Sequence, residues 1–187
     1  MEYSSSAASE IKYVVFLSLL IISILKGVES KQLSDNVPQI KYDVFVNFRG
    51  EDIRHSFLGY LTEAFHQHKI YAFVDDKLGK GDEIWPSLVG AIKGSLISLT
   101  IFSENYASSR WCLEELVQIL EFREKYGQIV LPVFYHVYPK DVRHQKRSYE
   151  KALAEHEKKY NFTTVQNWRH ALKKAANLSG IKSFDYM

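Results

Sequence analysis

The stretch from Ser108 to Leu116, S-S-R-W-C-L-E-E-L, sets two carboxylates beside a tryptophan, an arginine and the single cysteine of the chain. Leu113, Leu116, Val117 and Leu120 recur at the spacing of one buried helix face, and Glu115 points away from that stripe. Packing therefore does not require Glu115, which is expected on the exposed side, where a glutamate is ordinarily a solvated charge. Ser108 or Ser109 can cap this helix, and its positive end favours an ionised carboxylate nearby. A second cluster, Phe48-Arg49-Gly50-Glu51-Asp52 with Arg54, could receive phosphate. Guanidinium forks and the free N–H groups of a helix start both suit a pyrophosphate. The competing reading is local salt bridging of the arginines to Glu51 or Asp52.

Other chemistry is excluded or disfavoured by composition. With one cysteine, Cys112, the chain can form neither an internal disulfide nor a multi-thiolate zinc site, and that residue reads as a small semi-buried hydrophobe. The seven histidines form no H-x-x-x-H or H-E-x-x-H pattern, so no metal site is expected. A formal charge of +2 does not announce nucleic acid, and no nucleic-acid partner is expected. Arg143, His144, Lys146 and Arg147 make a local basic cluster that reads as a solvated loop face.

The elements that must position these residues alternate. From Tyr42 onward, short apolar runs are interleaved with longer amphipathic ones, the pattern of a parallel sheet covered by helices on both faces. Strands are expected around Val44 to Val46, Tyr71 to Val74, Ser95 to Phe102 and Ile129 to Tyr135, with Pro132 placing the last nearer an edge. Asp52 can cap a helix carrying Phe57, Tyr60, Leu61, Ala64 and Phe65. A short helix is expected around Ile84 to Ile92 after a polar loop, Asp75 to Asp82. The Cys112 helix should end at Gly127. Pro139 falls in a loop, and two further helices are expected around Tyr149 to Tyr160 and Val165 to Leu178. In such sheets ligands bind beyond the carboxyl ends of the strands where strand order reverses, commonly between the first and third. Arg49 and Glu115, far apart in sequence, are thereby expected to face one crevice.

Before the globular part, Tyr13 to Leu25 is a hydrophobic run interrupted by Ser18 and Ser23, short for a membrane span of about twenty residues. It can be read as a signal-peptide core, as a short anchor extended by Lys12 and Lys26, or as a fortuitous apolar segment; the anchor is the working expectation. Lys31 to Lys41, with Pro38, reads as a linker. The expected organisation is residues 1–40 as hydrophobic segment and linker, 41–178 as the globular domain, and 179–187 as a short tail.

Four ordered segments carry a resemblance. Y-D-V-F-V-N-F-R-G-E-D at Tyr42 to Asp52, F-V-D-D at Phe73 to Asp76, N-Y-A-S-S-R-W-C-L-E-E-L at Asn105 to Leu116 and P-V-F-Y-H-V at Pro132 to Val137 together resemble a plant TIR (Toll/interleukin-1 receptor-like) domain. The resemblance implies a flavodoxin-like α/β fold, a five-stranded parallel sheet with helices on both faces. It further implies NAD+ cleavage after self-association, with NAD+ as substrate, no required cofactor, and other TIR domains or TIR-type receptors as partners in plant defence. Its catalytic glutamate falls on Glu115 and not on Glu114. Its nucleotide contacts fall on Phe48, Arg49, Gly50, Arg54, Ser109 and Trp111. Breaking the bond between ribose and a cationic nicotinamide builds positive charge on the sugar, which one carboxylate can stabilise, while nicotinamide leaves without a proton.

The chain departs from the family pattern at several places. Asn47 stands where plant members commonly carry serine, Gly59 and Tyr60 replace a frequent Ser-His pair at a dimer contact, Gly79 stands at a commonly basic position with Lys80 beside it, Tyr138 replaces aspartate, and Arg147 replaces glycine. A non-catalytic adaptor acting through TIR-TIR contacts is the rival expectation. With no phosphate-loop motif and no leucine-rich repeat in the sequence, a TIR-only form facing the cytoplasm is expected.

Overall fold

A computed structural model of the chain describes residues 3–29, 39–74 and 85–183. The polar loop expected from Asp75 to Asp82, including Gly79 and Lys80, lies outside the described residues, as do Ile84 and most of the linker.

Five strands form one parallel sheet in the order β2-β1-β3-β4-β5, comprising β1 (Tyr42–Phe48), β2 (Ala72–Val74), β3 (Ser95–Phe102), β4 (Ile129–Phe134) and β5 (Ile181–Lys182). Val44 to Phe48 are buried one after another, as a strand sandwiched between helix layers demands. The reversal of strand order lies between β1 and β3, where the alternation of elements placed it. Pro132 sits in β4, which is interior by count. The sheet nevertheless leaves it room, because β5 pairs only with Val133 and Phe134. The fifth strand itself lies in the stretch read as a tail. Two residues are too few for alternation to signal a strand.

On one sheet face lie α1 (Tyr3–Glu29) and α3 (Phe57–Gln67), sharing a core with Val44, Val46, Leu99, Ile101, Leu131 and Val133. On the other lie α4 (Trp85–Lys93), α5 (Arg110–Tyr126), α7 (Ser148–Glu157) and α8 (Phe162–Ala175). Two short helices, α2 (Gly50–Ile53) and α6 (Pro139–Arg143), and a 3-10 turn, Tyr106–Ser108, occupy loops. α5 runs from Ser109, whose Oγ accepts the Cys112 amide at 3.3 Å, to Gly127, which takes the left-handed conformation at φ 70°.

The hydrophobic N-terminal run is longer as a helix than as an apolar string. Serine and alanine before Tyr13 continue α1, and Ala8–Gly27, 20 residues of mean hydropathy 2.0, is long and apolar enough to cross a membrane. One side of it is packed on the domain. Tyr13, Val14, Leu17, Ser18 and Ile21 are buried, the Tyr13 ring lies 5.6 Å from that of Phe57, and the Tyr135 hydroxyl donates to Glu10 at 2.6 Å. Ile11, Val15, Phe16 and Leu19 remain exposed.

Candidate functional site

Glu115 is buried, with 2% of its surface exposed, which corrects the expectation of a solvated charge. Stripe periodicity considers one neighbouring layer, but α5 also runs beside the carboxyl end of β1, and that side takes up Glu115. There the Asn47 side-chain amide donates to Glu115 Oε2 at 2.6 Å. The Asn47 carbonyl accepts from the Tyr106 hydroxyl, which also lies 2.9 Å from the Cys112 carbonyl oxygen. Cys112 is fully buried rather than semi-buried, and its thiol donates to the Phe48 carbonyl at 3.3 Å. The end of β1, the 3-10 turn and the first turn of α5 are thus stitched together around the carboxylate. Burial, followed by the nearby Cys112, Glu115 and Tyr149, drives the Tyr106 phenol well above its ordinary value, so it stays a neutral donor.

The adjacent carboxylate goes elsewhere. Glu114 is half-buried and receives a hydrogen bond from the Trp168 side chain of α8; burial raises its pKa, and that bond together with Arg110 works in the opposite direction. One residue of helical rotation separates a carboxyl that joins α5 to α8 from one turned to the switch point.

In the first loop, Arg49 is engaged locally. Its Nη1 lies 2.7 Å from Asp52 Oδ1, and its Nη2 pairs with Glu51. For this residue local salt bridging is the arrangement found. Arg54 forms no ion pair with a carboxylate among the described residues, and its Nε is buried without a hydrogen-bond partner there. Gly50 leaves space for that guanidinium, because a β-carbon on it would lie 2.6 Å from Arg54 Nη2. Asp52 does not cap α3. It lies inside α2, and its carboxylate accepts from the Ser103 hydroxyl at 2.5 Å and the Asn105 amide at 2.9 Å. Burial opposes ionisation of Asp52 but is outweighed by the bonds from Ser103, Asn105 and Arg49, and its pKa falls below 3.8.

At the start of α5, Ser109 serves as cap. Trp111 is half-buried, with the Arg110 guanidinium 4.2 Å over its ring and Trp85 6.0 Å away. The structure therefore gathers Asn47, Phe48, Tyr106, Cys112 and Glu115 by direct contact, with Ser109 and Trp111 on the same helix start. Arg49, Gly50 and Arg54 occupy the neighbouring loop, where Arg49 spends its charge on Glu51 and Asp52 and not on Glu115. Tyr106 and Asn47 belong to the site although sequence patterns alone do not nominate them. Their signal is a polar side chain inside the apolar run V-F-V-N-F and a tyrosine just before the cap. Among the described residues no three His, Cys, Asp or Glu side chains form a group that could hold a metal.

A 2-1-3-4-5 parallel sheet with helices on both faces defines a flavodoxin-like α/β domain, and the candidate site lies at its strand-order reversal between the first and third strands. Residues 41–186 match the family described as TIR domain, and the chain belongs to that family. It is 48% identical over 139 residues to disease resistance protein RPV1 of Vitis rotundifolia, covering 74% of this chain and 10% of that protein. It is 49% identical over 142 residues to TMV resistance protein N of Nicotiana glutinosa, covering 74% and 12%. It thus spans about a tenth of the length of these curated relatives. Among solved structures, the TIR domains of the activated Roq1 resistosome recognising the effector XopQ match at TM-score 0.70 and 47% identity, over 76% of this chain and 87% of that one.

Proposed function

We propose that this TIR domain acts in plant immune signalling by hydrolysing NAD+ after self-association, with Glu115 as its catalytic carboxylate. The observation that carries the reading is the placement of Glu115: a buried carboxylate, fixed by Asn47 at the strand-order reversal where such sheets bind ligands. The C1′–N1 bond to nicotinamide breaks, its electron pair neutralises the pyridinium nitrogen, and positive charge develops on the ribose. Glu115 stabilises that charge, water adds at C1′, and its proton passes to the carboxylate or solvent. Arg54 and the N–H groups of the first loop are the candidate pyrophosphate contacts, and Phe48 and Trp111 the candidate aromatic neighbours. Self-association is supported by the likeness to TIR domains from an activated resistosome.

Glu115→Ala is expected to abolish nicotinamide release by the purified protein at high local concentration, with far-UV circular dichroism unchanged. Equal release by the variant overturns the reading. The adaptor reading is favoured by one observation, the engagement of both arms of Arg49 by Glu51 and Asp52. It expects undiminished signalling output from Glu115→Ala in plant tissue. For α1 we propose a membrane anchor, with the domain on the cytosolic side where NAD+ is available.

A further inference from the structure

Asn47 is a polar side chain with none of its surface exposed, set in a strand otherwise rich in Val and Phe. Burying an amide there is costly unless each of its hydrogen-bonding groups is used. Its Nδ2 lies 2.6 Å from Glu115 Oε2 and 3.5 Å from the Cys112 carbonyl oxygen, and its Oδ1 accepts from Tyr106. Tyr106 has one proton and two acceptors within reach, Asn47 Oδ1 and the Cys112 carbonyl at 2.9 Å.

We propose that Asn47, backed by Tyr106, is the positioning residue for Glu115, and that the pair accommodates the carboxyl in either protonation state without moving it. With Glu115 ionised, Asn47 donates an N–H to it and Tyr106 donates to Asn47. With Glu115 protonated, the carboxyl donates to the amide oxygen, brought to face it by a half-turn of the Asn47 side chain. The amide nitrogen then donates to the Tyr106 oxygen, and the Tyr106 proton swings to the Cys112 carbonyl. Each step exchanges one hydrogen bond for another, so neither state leaves these groups unpartnered. A serine at 47, the residue common in plant members, has a single proton and a shorter reach, so it cannot bridge Glu115 and Tyr106 in this way. Among the described residues, two titratable side chains adjoin this network: Tyr106, on whose phenol Glu115 acts electrostatically, and Cys112, whose backbone carbonyl accepts from both Asn47 and Tyr106.

The role assigned to Glu115 in turnover rests on the proposed NAD+ hydrolysis, so the test has one arm with turnover and one without. In the full chain, Asn47→Leu is expected to lower kcat for NAD+ on the order of 10- to 100-fold with KM changed less than about threefold, because a misaimed carboxylate loses transition-state contact and not substrate affinity. Asn47→Ser, which keeps a donor, is expected to recover part of the loss. Independently of turnover, the δ-carboxyl resonance of Glu115, assigned by its disappearance in Glu115→Gln, is followed against pH by 13C NMR. Asn47→Leu is expected to raise its midpoint by about one unit, since the charge-assisted bond lost to the carboxylate is stronger than the neutral bond lost to the protonated carboxyl. Tyr106→Phe is expected to shift it in the same direction by less. An unchanged midpoint in both variants overturns the proposal whether or not the wild type cleaves NAD+, and wild-type kcat in Asn47→Leu overturns it where the enzyme is active. Where Asn47→Leu does not fold, an unchanged midpoint in Tyr106→Phe alone overturns the proposal.

Discussion

At the scale of single residues, the charges that matter are those the fold has taken out of water. Asp52 ties the first loop to Ser103 and Asn105 beyond β3. Replacing it by asparagine is expected to cost about 1–3 kcal/mol in urea unfolding at neutral pH. Its folded pKa lies below 3.8, so its contribution is complete above that value and is lost as pH falls through the folded pKa; the gap between wild type and Asp52→Asn should narrow in acid. His156 behaves in the same sense. Buried against Tyr160 and Trp168 with Nε2 2.9 Å from the Ala107 carbonyl, it is shifted below 6.5 by burial and by Lys159, with the Ala107 bond opposing. The protein should lose thermal stability as pH falls below 6.5, and His156→Gln should flatten that dependence, as calorimetry would show. The candidate carboxylate was legible in sequence because the C-L-x-E-L run resembles a family motif. Its burial was not, because the contact that buries Glu115 comes from Asn47, distant in sequence, and helical periodicity says nothing about a second neighbour.

At the scale of elements, strong local signals translated directly and weak ones did not. The β3 run Ser95 to Phe102, the cap at Ser109 and the stop at Gly127 were legible because each rests on side chains or backbone preferences within a few residues. The helix expected from Asp52 is broken into α2 and α3, because the Asp52 carboxylate serves the loop beyond β3 instead of capping α3. Tyr60, read as part of the buried stripe, is 38% exposed. The loop expected at Pro139 contains α6, with the proline at a helix start where its missing N–H costs nothing. The basic cluster after it is not simply a solvated face. Arg143 donates to the Ala176 carbonyl at 2.9 Å, and Arg147, paired with Asp141 at 3.3 Å, enters α7 with φ 58° and ψ −122°. That backbone region is open mainly to glycine, the residue common there in plant members. Arg147→Gly is expected to raise stability by about 1 kcal/mol in urea unfolding, the relief of backbone strain exceeding the loss of one exposed ion pair.

At the scale of the whole molecule, α1 packs one side on the domain and leaves an apolar side exposed. The 20 residues of Ala8–Gly27 at about 1.5 Å each span roughly 30 Å, the thickness of a bilayer core, yet one side of the helix is already committed to the protein. Leu17→Ala or Ile21→Ala is expected to cost about 2–5 kcal/mol, read by thermal unfolding of the full chain, because both side chains are fully buried in the core shared with α3. Cutting the helix away would therefore ask two questions with one knife, stripping a wall from the domain at the same moment as it removes the proposed route to lipid. The two are separable on the helix itself. If the proposed anchor holds, lysines at Val15 and Leu19, 45% and 52% exposed, should leave folding intact and shift the protein out of the membrane fraction, which would put the wall and the passport on opposite sides of one helix.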